Sequence, residues 1–285
     1  MVASMDPAAR ELVARALAED VGSGDLTSEA VVPPGARARA RIVQKQPGVV
    51  FGLEVAREAF AQAGAAAFEP LAAEGEWHDQ VPAEVAVVEG PARSLLVAER
   101  TALNFLCHLS GIATLTARFV RAAGPGGAAI LDTRKTIPGL RALEKAAVAA
   151  GGGRNHRMGL YDGVLIKENH IAVGGGLAEA VRRAVSAHPG RAVEVECRTL
   201  ADVEAAIEAG AGRILLDNMA PGELRRAVEL RDARGGPPLE ASGGVTLETV
   251  AEVARTGVDF VSVGALTHSA PALDLSMLVE PEAAT

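Results

Sequence analysis

The sequence predicts an α/β protein in two parts, a small α+β domain followed by a parallel β/α domain of barrel type. Three observations carry that reading. Six short apolar runs in the middle of the chain lead into Asp132, Lys167, Glu196, Asp217, Ser242 and Gly264, each a residue able to do chemistry or to admit a ligand. These ends lie 35, 29, 21, 25 and 22 positions apart, the length of a strand, a helix and two short loops. The preceding stretch, 38–97, holds strands and a helix without steady alternation. A β/α barrel collects the C-terminal ends of its strands on one face, where such enzymes keep their active sites. Two basic residues, two carboxylates and a Gly-rich pair are therefore expected at one mouth.

The elements follow in order. Residues 6–20 read as an amphipathic helix with Leu12, Val13, Ala16 and Leu17 on one side. Residues 19–27 are turn-rich, and Asp25 or Thr27 is expected to bond nearby backbone. Ala40–Val43 and Val85–Gly90 read as strands, and Leu53–Ala63 as a helix. Residues 94–120 read as two helices interrupted at Ser110-Gly111, and Gly124–Gly127 is the clearest breaker. The β/α part runs from about Ala128 to Ala265. Its helices are expected at Leu140–Ala150, Leu177–His188, Leu200–Ala209, Pro221–Arg234 and Leu247–Thr256, with Thr199, Ala220 and Thr246 at helix starts. About six β/α units are visible where a complete barrel has eight, so two strands are cryptic or the barrel is incomplete.

Bulk properties narrow the function. With 285 residues, 49% hydrophobic and 22% charged, the chain holds one large domain or two ordinary ones. A net charge of −8 argues against a nucleic-acid partner. The two cysteines, Cys107 and Cys197, make no disulfide framework; they read as a buried helix position and an inert neighbour of Glu196. The first 20 residues carry charges throughout, and no run approaches the roughly 20 apolar residues of a membrane span. A cytoplasmic protein without a membrane partner is expected. There are only four lysines, Lys45, Lys135, Lys145 and Lys167. Arginine replaces lysine at a solvated position but not where a compact ammonium is required, so Lys135 and Lys167 at strand ends stand out.

At the mouth, Arg134, Lys135 and Lys167 make a cationic site. The loop Gly151-Gly152-Gly153-Arg154-Asn155-His156-Arg157-Met158-Gly159 adds His156, Arg157 and Arg154. Such charges repel one another in an empty pocket, which implies anionic ligands. Glu196 and Asp217 offer hard oxygen ligands that suit Mg²⁺ beside a polyanion, or acceptors for sugar hydroxyls. Ser242-Gly243-Gly244, followed by a helix start at Thr246, is a phosphate-binding arrangement, and Gly264 completes the cradle. Singly, each has a plainer use as a turn, a cap or a surface charge. Arg141 and Lys145 follow helical spacing and read as a solvated face, with Glu144 pairing Arg141 at i,i+3. Taken together, the site suits a phosphorylated sugar, a divalent metal and a carboxylate-bearing partner.

Several ordered segments resemble the quinolinate phosphoribosyltransferase family, also called nicotinate-nucleotide pyrophosphorylase (carboxylating). They are 19–27, Glu99–Leu106, Ser110–Thr114, Asp132–Thr136, Asn155–Leu160, Leu165–His170 and Glu240–Gly244. The resemblance spans nearly the whole chain. It implies an N-terminal α/β sandwich of residues 1–112 with the tail 268–285, joined to an incomplete (open) α/β barrel of residues 113–267. It also implies a homodimer in which one subunit's sandwich covers the other's barrel mouth, so that Arg100 reaches quinolinate across the interface. The implied reaction joins quinolinate to phosphoribosyl pyrophosphate and yields nicotinate mononucleotide, pyrophosphate and CO₂, in de novo NAD biosynthesis. Arg100, Arg134, His156, Arg157 and Lys167 would hold the two carboxylates. Lys135 would face the pyrophosphate or ribose. Glu196 and Asp217 would bind Mg²⁺ directly or through water and contact the ribose. Ser242, Gly243, Gly244 and Gly264 would cradle phosphate, with His268 assisting. No prosthetic group is expected, because the substituted ring nitrogen is itself the electron sink for decarboxylation. The rival readings are a related phosphoribosyltransferase acting on another heterocycle, a Schiff-base aldolase using Lys167, and a non-catalytic binder of a phosphate ligand. The aldolase leaves the Arg-His-Arg cluster and the paired carboxylates unexplained.

Overall fold

The computed structural model describes residues 5–65 and 67–282. The chain divides into two compact units, Met1–Leu115 with Ala270–Thr285, and Thr116–Ser269. In chain order the elements are α1 (Pro7–Val21), α2 (Leu26–Val31), β1 (Arg37–Gln44), β2 (Gly48–Val49), α3 (Leu53–Gln62), β3 (Ala67–Pro70), β4 (Trp77–His78), β5 (Ala83–Pro91) and α4 (Ala92–Ala123). Then follow β6 (Ala129–Leu131), α5 (Arg141–Ala150), β7 (Val164–Ile166), α6 (Glu168–Val173), α7 (Leu177–Ala187), β8 (Val193–Cys197), α8 (Leu200–Glu208), β9 (Arg213–Asp217), α9 (Pro221–Arg234), β10 (Leu239–Ser242), α10 (Val250–Ala254), β11 (Phe260–Ser262) and α11 (Ala265–His268). The tail supplies β12 (Leu275–Pro281).

The first unit is built on an antiparallel sheet ordered β12-β1-β5-β3. Strand β1 alternates Arg and Ala: Ala38, Ala40 and Ile42 are buried, while Arg39 pairs with Glu89 directly opposite at 2.8 Å. The turn before α2 is an N-cap, with Asp25 Oδ1 accepting from Thr27 N–H and Ser28 N–H. Strands β2, β3 and β4 lie outside the expected pattern; they are two to four residues long and too short for an alternation to show.

Two helices were expected between 94 and 120, and one unbroken helix, α4, stands there. Ser110-Gly111 does not interrupt it, because both residues serve close packing in the first unit. Ser110 Oγ donates to Phe51 C=O and accepts from Phe51 N–H. A Cβ on Gly111 would collide with the Pro271 carbonyl oxygen. At 32 residues and a mean hydropathy of 1.2 in its most apolar window, α4 also has the length and composition of a membrane span, against the expectation. That window is 61% buried inside the protein, as in a core helix. Cys107, expected on a buried face of this stretch, is half-buried.

The second unit is a parallel six-stranded sheet ordered β6-β11-β10-β9-β8-β7. The barrel is incomplete, as the count of units allowed. Edge strands β6 and β7 do not pair with each other; Arg154 makes an isolated bridge to Leu131 in the gap. On β8, Val193, Val195 and Cys197 are buried and alternate with Glu194 and Glu196; on β9, Ile214 and Leu216 alternate with Arg213, Leu215 and Asp217. The period of two thus sends one set of side chains against the helices and the other into the barrel interior. Helix α9 has the expected bounds, and Thr199 caps α8 in a capping box with Asp202. Helix α10 begins only at Val250, because Thr246–Thr249 form a turn in which Thr246 N–H donates to Thr249 Oγ1.

Candidate active site

The strand ends surround a cavity of about 640 Å³ within the second unit. It is lined by Arg134, Lys135, His156, Arg157, Lys167, Glu196, Asp217, Ser242, Gly243, Gly244, Gly264 and His268, all expected at one mouth. Asp132, the first of the six ends, is instead fully buried. Arg154 contributes its backbone to β6 and does not line the cavity. Arg100 belongs to the first unit, where it is exposed on α4.

Two half-buried guanidiniums share the cavity wall. The Nε atoms of Arg134 and Arg157 are buried and have no hydrogen-bond partner among the described residues, while Arg157 Nη1 donates to Gly163 C=O at 3.0 Å. Burial, and then the neighbouring Arg134, lowers the Arg157 pKa. Two cations that disfavour each other, with donors unspent, are built for an anion.

Arg141 and Lys145, expected to face solvent from α5, point inward. Lys145 and Asp132 form a fully buried ion pair, and Lys145 Nζ also donates to His156 C=O at 2.9 Å. Asp132 Oδ1 in turn accepts from His156 N–H at 2.8 Å. Arg141 donates to Thr136 Oγ1 at 2.9 Å, Met158 C=O at 3.2 Å and Arg134 C=O at 3.4 Å. Glu144 is buried and accepts from Ile137 N–H, so it is no surface partner for Arg141. Helical spacing alone cannot say whether a charged stripe faces water or another charge. Here it fastens both cationic segments, 132–137 and 156–158.

His156 has its Nδ1 hydrogen-bonded, while Nε2 lies in ion-pair range of Glu194 without hydrogen-bond geometry. Nδ1 accepts from Arg157 N–H at 2.7 Å, which places the proton of the neutral ring on Nε2, 2.9 Å from Glu194 Oε2. Burial pulls its pKa down, but Glu194 and Glu240 outweigh that and hold it above the ordinary value. Beneath the ring lies a charge layer that reading the strands as apolar runs missed. Glu194 is buried, Glu240 fully so, and Arg213 Nη2 lies 3.1 Å from Glu240 Oε2. The Arg213 guanidinium also stacks 3.7 Å over the Phe260 ring. Burial, and then Glu194, raises the Glu240 pKa to about 7. His156, Glu194 and Glu240 have the donor set of a metal site, but Arg213 already supplies positive charge there. The missed signal was the alternation itself: Glu194 and Glu240 share inward faces with Glu196 and Ser242.

On the far strands, Glu196 is held above its ordinary pKa by burial first and by Asp217 second. Such a pair gains from a cation between its carboxylates, and hard oxygen donors suit Mg²⁺. Ser242 leads into Gly243 and Gly244, whose φ of 97° and 62° suits glycine. A Cβ on Gly243 would also strike the Asn218 side chain, another lining residue not singled out beforehand. Because α10 starts late, exposed backbone in this glycine turn, rather than a helix terminus, is what an anion would meet. At Gly264 the need is space: a Cβ would lie 3.1 Å from His268 Nε2 and 3.2 Å from Lys135 Cδ. Thr267 Oγ1 donates to Lys135 C=O at 2.8 Å, which fixes that cluster.

Comparison with known proteins agrees along almost the whole chain. Residues 25–110 match the N-terminal domain of quinolinate phosphoribosyl transferase, and residues 112–278 match its C-terminal domain. The chain is 44% identical to the nicotinate-nucleotide pyrophosphorylase (carboxylating) of Mycobacterium leprae, over 95% of this chain and 96% of that one. It is 43% identical to a probable enzyme of the same name from Bacillus subtilis, over 91% and 89%. The solved structure of the nicotinate-nucleotide pyrophosphorylase from Francisella tularensis superposes with a TM-score of 0.91 at 39% identity, covering 96% of each chain.

Proposed function

The chain belongs to the quinolinate phosphoribosyltransferase family, and on that premise we propose how its own residues divide the work. It is a pentosyltransferase of de novo NAD biosynthesis that joins quinolinate to phosphoribosyl pyrophosphate and releases pyrophosphate and CO₂. The observation that carries the assignment of roles is the pair Arg134 and Arg157, with unspent buried Nε–H donors in a cavity that also holds Lys167.

Arg134, Arg157 and Lys167 hold the two carboxylates of quinolinate and set its ring nitrogen toward the anomeric carbon. His156, whose Nδ1 accepts from Arg157 N–H, acts through its hold on the Arg157 backbone. The backbone of Ser242, Gly243 and Gly244 receives the 5-phosphate, and the opening at Gly264 lets Lys135 and His268 approach the pyrophosphate together. Glu196 and Asp217 would hold Mg²⁺, directly or through water, and the ion would supply positive charge beside the leaving group. The same carboxylates accept from ribose hydroxyls and steady the positive charge that develops as the bond to pyrophosphate breaks. Once the ring nitrogen is positive, the adjacent carboxylate leaves as CO₂, its electrons remain on the ring carbon, and a proton takes its place. Arg100 of a second copy of the chain completes the carboxylate site in a homodimer.

Incubation of the purified protein with quinolinate, phosphoribosyl pyrophosphate and Mg²⁺ is expected to yield nicotinate mononucleotide and CO₂ in equal amounts. Nicotinate offered instead, lacking one carboxylate, is expected to yield no product. Equal use of both would favour a relative acting on another heterocycle.

A further inference from the structure

Arg198, the first residue past β8, has no part in the roles above. Its backbone is fixed: Arg198 N–H and Thr199 N–H both donate to Asp202 Oδ2, at 3.1 and 2.9 Å, within the capping box that opens α8. Its guanidinium stands among three carboxylates. Nη2 pairs with Glu168 and lies 3.7 Å from Glu196 Oε1, while Nε lies 3.5 Å from Asp217 Oδ2. The last two are the carboxylates assigned to the metal, and the inference rests on that assignment. The Arg198 side chain is 55% exposed, so it can swing away without repacking.

We propose that Arg198 is an exchangeable counter-ion of the Glu196–Asp217 pair, which holds the two carboxylates until a divalent cation arrives together with a pyrophosphate group. A bare cation entering there meets the Arg198 guanidinium at contact range and the Lys167 ammonium nearby, and both repel it. A cation that carries pyrophosphate brings its own negative charge, which offers the displaced guanidinium a bidentate partner. The free enzyme therefore binds metal poorly and takes it up with its phosphorylated substrate.

Mn²⁺ binding to the full-length protein, followed by electron paramagnetic resonance, tests this without any turnover. Arg198→Gln is expected to bind Mn²⁺ about fivefold more tightly than the parent, and Arg198→Lys, which keeps the charge, to stay within about twofold. Inorganic pyrophosphate is expected to tighten Mn²⁺ binding to the parent, and to tighten it less in Arg198→Gln. Unaltered or weaker Mn²⁺ binding by Arg198→Gln, or an equal gain from pyrophosphate in both proteins, overturns the proposal. If the parent turns over quinolinate while these affinities fail to separate, the function stands and only the role of Arg198 falls. A parent that makes no product removes both.

Discussion

Glu240 is a fully buried carboxyl facing Glu194, His156 and Arg213. Its pKa of about 7, against an ordinary 4.5, means that the folded protein holds a proton that the unfolded chain releases. Stability from this proton is complete below about pH 4.5 and is lost as pH rises through about 7. Heat unfolding from pH 5 to 8 is expected to show this loss in the parent, on the order of 1–3 kcal/mol. Glu240→Gln, which cannot ionise, should flatten it; an unchanged pH slope would count against the burial argument. Lys135 and Glu196 both line the cavity and are proposed to act on substrate directly. Replacing either by Ala is expected to cut kcat/KM about 100-fold or more with the fold retained, as steady-state kinetics and circular dichroism would check. The strand-end residues were legible in the sequence because each follows an apolar run. Glu194 and Glu240 were legible only in the alternation within those runs, and Arg213 stands just ahead of one of them.

Helix α5 shows what a single element contributes. Its residues Arg141, Glu144 and Lys145 hold the backbone of both cationic segments. Lys145→Met leaves Asp132 buried and unpaired, and is expected to cost about 3–5 kcal/mol in urea unfolding. The double variant Asp132→Leu/Lys145→Met should recover much of that loss. Arg141→Met is milder. It should raise KM for quinolinate about tenfold and leave KM for phosphoribosyl pyrophosphate nearly unchanged, because it loosens the segments bearing Arg134 and Arg157. Equal rises in both constants would mean a general loss of order instead. The scarcity of lysine applied here as well. A compact ammonium fits the slot beside Asp132, but helical periodicity records only that 141, 144 and 145 share a face, not what the face meets.

At the scale of the molecule, the proposed homodimer draws each site from two chains. Arg100→Ala and Lys167→Ala should each be inactive alone. After mixing and exchange of subunits, about a quarter of the sites would combine an intact Arg100 with an intact Lys167. Recovery of activity at that level would support the shared site, and none would place Arg100 elsewhere. The α/β class, the row of strand ends and the family resemblance are already legible in the linear chain, since all three follow from local periodicity and ordered motifs. Which charges are spent within the protein and which are left for a ligand emerges only on folding. Asp132 and Lys145 neutralise each other in the interior, His156 is engaged by Glu194 and Arg157, and Arg198 stands against Glu196 and Asp217. Arg134 and Arg157 retain unspent donors. A residue's chemistry is written in its identity, but its partners stand on other strands and helices, at distances the linear chain does not encode.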